Sequence, residues 1–270
     1  MQLVEKTQNN DPQMANQRGP CCGLYALQAV AKALNQLTYQ HLRATTDHTN
    51  NPNLRREAEA FLDNYHLYSE VDPMETELQE KVLSGIVSLR LLAKIKGITK
   101  IGEIFSSRDM VTLANDIRLN AFEMHYQANH NILSLSEEIK KQLARGKYIL
   151  APFGVDVQGK PQQVGDRPHW CIIYAWKKYK DSSFFGLKTN EITQVEVNHW
   201  GTKYTFNLQN LAQSNAVLQD FPAQTWVKSS SGISNWNLRS NSNQMPIRQV
   251  NFPQMPLSTT LRNRYVVVGL

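Results

Sequence analysis

The chain has 270 residues, of which 41% are hydrophobic and 19% charged, with a formal net charge of +6. That length carries a full core, as one large domain or two lobes, and the composition is that of a folded soluble protein. The apolar stretches are short and broken by charge, which excludes a membrane-spanning helix, and the basic residues are spread rather than gathered into the aromatic-interleaved stripe of a nucleic-acid surface.

Residues Met1 to Gln17 are polar and lack the apolar segment of a signal peptide. Three cysteines, two of them adjacent, make a poor disulfide framework and point to a reducing compartment. No C-x-x-C or H-x-x-x-H pair offers a zinc site, so no metal or cofactor is expected. The expected location is the cytoplasm, native or that of a host into which the protein is delivered.

The first element follows Gly19-Pro20. Pro20 cannot continue a helix backwards, and Leu24, Leu27, Ala31 and Leu34 recur at helical spacing, so about Cys22 to Leu34 reads as a helix. A polar loop around Thr45 to Asn53 precedes a second helix, Leu54 to Tyr65. Asp72-Pro73 is a helix start signal, followed by helical segments Met74 to Leu83 and Ile86 to Lys96, with Gly97 as a stop. Ser106 or Ser107 caps a further helix, Arg108 to Leu119.

The pattern then changes. Ala121 to Tyr126 alternates as a strand, Ser136 to Arg145 reads as a helix with two acids in its first turn and Gly146 as its stop, and Lys147 to Phe153 as a buried strand. His169 to Trp176 and Ile192 to Val197 read as strands, the second pairing with Lys203 to Phe206 across a Trp200-Gly201 turn. Leu208 to Asn215 is a short helix, Thr225 to Asn263 a long loop or polar arm, and Arg264 to Leu270 a closing strand. The fold class expected is α+β. Residues 1–270 form a single catalytic domain, with a helical lobe about 18–119 packed on an antiparallel β-rich lobe about 120–270, the arm at about 225–263, and a cleft between the lobes.

Cys22 falls in the first helical turn, where unpaired N–H groups and the positive helix end favour a thiolate. Gln17, one short loop upstream, has an amide that can fold back as an oxyanion donor. By itself the cysteine reads equally as a small buried hydrophobe. His169 opens a buried strand and reads either as a core histidine or as a general base. Asn198-His199-Trp200-Gly201 reads either as a polar hairpin turn or as an amide that accepts the histidine's ring N–H, with the indole shielding it. Together the three run Cys, His, Asn in chain order, the arrangement of papain-like proteases.

The chain also resembles one family, the actin maturation proteases, papain-like peptidases related to the C39-type group. The matching residues are Gln17-x-Gly19-Pro20-x-Cys22-Gly23-Leu24-x-Ala26-Leu27, then Gly102-Glu103-Ile104-Phe105-Ser106 with Asp109-Met110 and Leu113-Ala114. Further on they are His169-Trp170, Gly201 with Lys203-Tyr204, Ser214-Asn215 with Asp220-Phe221, and Tyr265-Val266-Val267. The resemblance implies a papain-like fold and a cysteine-type, aminopeptidase-like hydrolase that removes the acetylated N-terminal residue of actin. Carried over by position, Cys22 is the nucleophile, His169 the base and Gln17 the oxyanion donor. Asn198 rests on the papain-like Asn-x-Trp-Gly match. The expected partner is a protein substrate, the acidic N-terminus of actin, to which a positive enzyme is suited. Two other readings use the same residues differently: a deubiquitinase, transglutaminase or deamidase with the same thiol chemistry, or a non-catalytic interaction protein binding through Trp226, Trp236 and the arm.

Overall fold

The computed structural model describes residues 1–14, 21–34, 88–100, 102–126, 132–181, 190–228, 236–238 and 248–270. In chain order these form β1 (Gln2–Gln8), α1 (Cys22–Leu34), α2 (Leu89–Ile95), α3 (Ser107–Asp116), β2 (Asn120–His125) and α4 (Ile132–Ala144). There follow β3 (Tyr148–Gly154), β4 (Pro168–Asp181), β5 (Asn190–His199), β6 (Thr202–Asn207), α5 (Leu208–Ala216), β7 (Gln224–Lys228), β8 (Trp236–Leu238), β9 (Arg248–Phe252), α6 (Leu257–Thr260) and β10 (Arg264–Gly269). The class is α+β. Among the described residues, no helix is long and apolar enough to cross a membrane.

The main sheet runs β2-β10-β3-β4-β5-β6, with every neighbouring pair antiparallel. β4 is its axis. One edge of β4 pairs with β5, while the other pairs first with β3, where His169 faces Phe153, and then with β1, where Trp176 faces Thr7. β1 was not legible in the polar N-terminal stretch, because its side chains are largely exposed and leave no apolar alternation to read.

Successive side chains of a strand point to opposite faces, and here both faces are covered. Trp170, Ile172, Leu150 and Val266 enter one core with Leu24 and Leu27 of α1, Leu92 of α2 and Met110 of α3. Cys171, Ile173, Phe153 and Val267 enter the other with Ile139 of α4 and Leu211 of α5. Each fully buried leucine contributes roughly 1.5–3 kcal/mol. Burial on both faces explains why every residue of β3 is buried and why its sequence is apolar rather than alternating. Helices therefore cover the sheet on two sides.

Local signals set several boundaries. Ser106 Oγ accepts the Asp109 N–H at 3.2 Å and caps α3, a contact of about 1 kcal/mol. Ser88 does the same for α2 through Leu91. α3 stops at Asp116, earlier than expected, and Arg118 turns the chain with φ 62°. α4 begins at Ile132, so Glu137 and Glu138 lie beyond its first turn and pair with Lys140 and Lys141 instead of the helix dipole.

The stretch expected as a loop or arm holds a second antiparallel sheet, β8-β7-β9, built from polar segments that carry little periodicity. The helices expected at Leu54 to Tyr65 and Met74 to Leu83, and the loop at Thr45 to Asn53, lie outside the described residues.

Candidate active site

Cys21 and Cys22 have opposite fates. The Cys21 carbonyl accepts the Tyr25 N–H at 3.0 Å and starts α1, while its side chain is fully buried in the core. Cys22 is half-buried and lines a cavity of about 670 Å³. Gly23 lets the start of α1 approach closely: a Cβ there would lie 2.8 Å from Met110 Cε and 3.2 Å from Ile104 Cβ.

His169 lines the same cavity from the start of β4. The backbone N–H groups of Trp170, the next residue, of Gly23 and of Cys22 itself act on the Cys22 thiol and favour its charged form. The start of α1 and the start of β4 thus face the same cavity, although they lie far apart in the chain. The Trp170 indole N–H donates to the Ile104 carbonyl at 2.9 Å, which ties the Gly102-to-Ser106 segment to β4. Glu103, Ile104 and Phe105 of that segment form one cavity wall. Phe221, its ring tilted and 5.3 Å from that of Phe105, lines the cavity together with Trp226 and Phe252.

The Ser214-Asn215 block singled out above has structural work here. Ser214 Oγ accepts the Gly154 N–H at 3.0 Å, and the Asn215 amide donates to the Pro152 carbonyl at 2.7 Å, so both pin α5 to the end of β3.

The electrostatics of Cys22 differ from the expectation for a helix start. Burial pushes its thiol up to about 11, and the three N–H groups only partly oppose this. Taking a charge out of water outweighs the favourable helix end. His169 is 4% exposed, and burial, then the neighbouring His199, holds its pKa well below 6.5. The resting pair is a neutral thiol and a neutral imidazole. Such a pair attacks a carbonyl by general-base transfer rather than as a preformed ion pair.

The β5–β6 turn positions the surroundings. Trp200 and Gly201 both have positive φ, 50° and 70°, as a two-residue hairpin of matching twist requires. For Trp200 the left-handed conformation costs roughly 1–2 kcal/mol. It sets the indole 4.9 Å from the His169 ring.

Asn198 does not fill its expected role. It pairs with Ile172 and shares the sheet face of that residue, while His169 lies on the face of Phe153. The Asn198 amide donates to Asp11 (3.3 Å) and to the Pro12 carbonyl (3.2 Å), anchoring the segment after β1. Asn198 Oδ1 and His169 Nε2 are both buried without a hydrogen-bond partner among the described residues, so no bond joins them. The imidazole beside His169 is that of His199, with ring centroids 5.0 Å apart. The sequence singles out Asn198 through the Asn-x-Trp-Gly pattern and passes over its neighbour. Gln17 lies outside the described residues. Among the described residues, no group of three or more His, Cys, Asp or Glu is arranged to hold a metal ion.

No curated protein sequence matches the chain. Residues 73–176, a range that contains His169 and excludes Cys22, match the family model described as the actin maturation protease-like C-terminal domain, and the match supports the actin maturation protease-like family.

Proposed function

We propose that this chain is a cysteine-type, aminopeptidase-like hydrolase that removes the N-terminal residue of actin or of a protein with an actin-like acidic N-terminus. His169 takes the Cys22 proton as the sulfur attacks the scissile carbonyl carbon. The same imidazolium then protonates the leaving amine. Water, deprotonated by His169, cleaves the thioester, and the sulfur leaves as the thiol. Gln17 and the Cys22 backbone N–H are the proposed oxyanion donors.

The observation that carries this reading is that Cys22 and His169 line one cavity, from the starts of α1 and β4. The family match supports a peptidase and a protein substrate. Arg167, exposed on the cavity wall, is a cation within reach of an acidic substrate, and the chain's net charge of +6 has the right sign for attraction.

The test is incubation of purified protein with immature actin, followed by mass spectrometry of the actin N-terminus. Loss of the terminal residue is expected, and Cys22→Ala abolishes it whereas Cys21→Ala does not. Unchanged actin removes the substrate, and full loss of activity with Cys21→Ala alone removes the nucleophile. Labelling of Cys22 by a ubiquitin-vinyl probe favours a deubiquitinase.

A further inference from the structure

We infer that His199 is a positioning residue for His169, so that the site runs from Cys22 through His169 and His199 to the Gly159 carbonyl. This rests on reading Cys22 and His169 as the reacting pair.

His199 is fully buried, and its Nε2 lies 2.9 Å from the Gly159 carbonyl oxygen. A carbonyl only accepts, so Nε2 carries the proton. The neutral ring then presents Nδ1 as a bare acceptor. That Nδ1 is buried and has no partner among the described residues, and the same holds for Nε2 of His169. A buried polar group left without a partner is destabilising. The two rings are inclined at 66° with centroids 5.0 Å apart, a separation at which facing ring nitrogens come within hydrogen-bond range. One bond, from His169 Nε2–H to His199 Nδ1, would satisfy both.

The consequence is a chain of fixed tautomers. The Gly159 carbonyl sets His199, and His199 sets His169 with its proton on Nε2. The free Nδ1 of His169 is then the atom that accepts the Cys22 proton.

The surroundings hold His199 still. Its ring stacks on Tyr204 at 4.4 Å and meets the edge of Phe153 at 5.4 Å. Gly159 has φ 82°, and a Cβ there would lie 2.5 Å from Tyr204 Oη and 3.2 Å from His199 Cε1, so only glycine brings this carbonyl to the ring. The titratable groups around the pair are Tyr204 and, on the cavity, Cys22, Glu103, Asp166, Arg167 and Asp220.

The experiment uses the full chain and needs no substrate. The rate of Cys22 alkylation by iodoacetamide is measured from pH 5 to 9, with Cys22→Ala as the blank. His199→Asn keeps an oxygen acceptor where Nδ1 stood. His199→Gln keeps a donor for Gly159 but loses that acceptor. Near pH 7 we expect His199→Gln to lower the rate tenfold or more and His199→Asn to stay within threefold of wild type. Wild-type rate and pH profile in folded His199→Gln overturn the proposal alone. A Cys22 rate unchanged in folded His169→Ala overturns the peptidase reading with it. Should the variants not fold, ¹⁵N NMR of the wild-type imidazoles decides: His169 protonated on Nε2 supports the proposal, and on Nδ1 overturns it.

Discussion

Acid should weaken this protein through His199, by an amount that follows from its surroundings. Burial pushes the His199 imidazole down from 6.5 to about 4, with the Gly159 bond opposing only in part. The unfolded chain therefore binds the proton first as pH falls. The contribution of the neutral folded ring is complete above about pH 6.5 and declines as pH drops from there towards 4. For one group with these two values the loss between pH 7 and pH 5 is about 2 kcal/mol. His169 shifts in the same direction, chiefly through its own burial and then through His199, so replacing His199 removes the His199 share and the smaller part of the His169 share that His199 causes. Urea unfolding of wild type and His199→Asn at pH 7 and pH 5 reads the two together. The variant is expected to lose about 2 kcal/mol less than wild type over that interval, whatever its stability at pH 7. Equal losses in the two proteins refute the reasoning, since they mean that His199 takes up its proton without opposition from the fold.

Three further outcomes are expected. Asn198→Ala removes both bonds to Asp11 and Pro12 and lowers stability by about 1–2 kcal/mol, with faster amide exchange in residues 2–8 as β1 loosens from β4. Gly159→Ala meets both a positive φ and the Tyr204 hydroxyl, so denaturation should report a loss of about 2 kcal/mol or more. Ser106→Ala removes the α3 cap and costs about 1 kcal/mol by the same measurement. Cys22 reactivity should be retained in the Ser106 variant.

The parts of this protein that were legible in its sequence are those whose cause is local. α1 begins at Cys22, where the helix-stopping Pro20 of the sequence and the apolar spacing put it, Ser106 caps α3, and the Trp200-Gly201 pair closes the β5–β6 hairpin. Each needs only a few neighbouring residues to be satisfied. Polar strands such as β1 and those of the small sheet are not legible in the sequence, because their side chains carry little alternation, and β1 in addition pairs with the distant β4.

At the candidate site the same division holds. Cysteine and histidine were identifiable as types at the start of a helix and of a strand, and Cys21 was distinguishable from Cys22 by position. The charge state of the sulfur was not, because burial by remote residues outweighs the helix end that the sequence displays. Nor was the neighbour of His169. Asn198 and His199 are adjacent, and a strand sends adjacent side chains to opposite faces, so the β4–β5 register alone decides which one stands beside the imidazole. Sequence supplies the chemistry of both candidates, but the choice between them is a property of how two strands align, and that alignment belongs to the folded sheet.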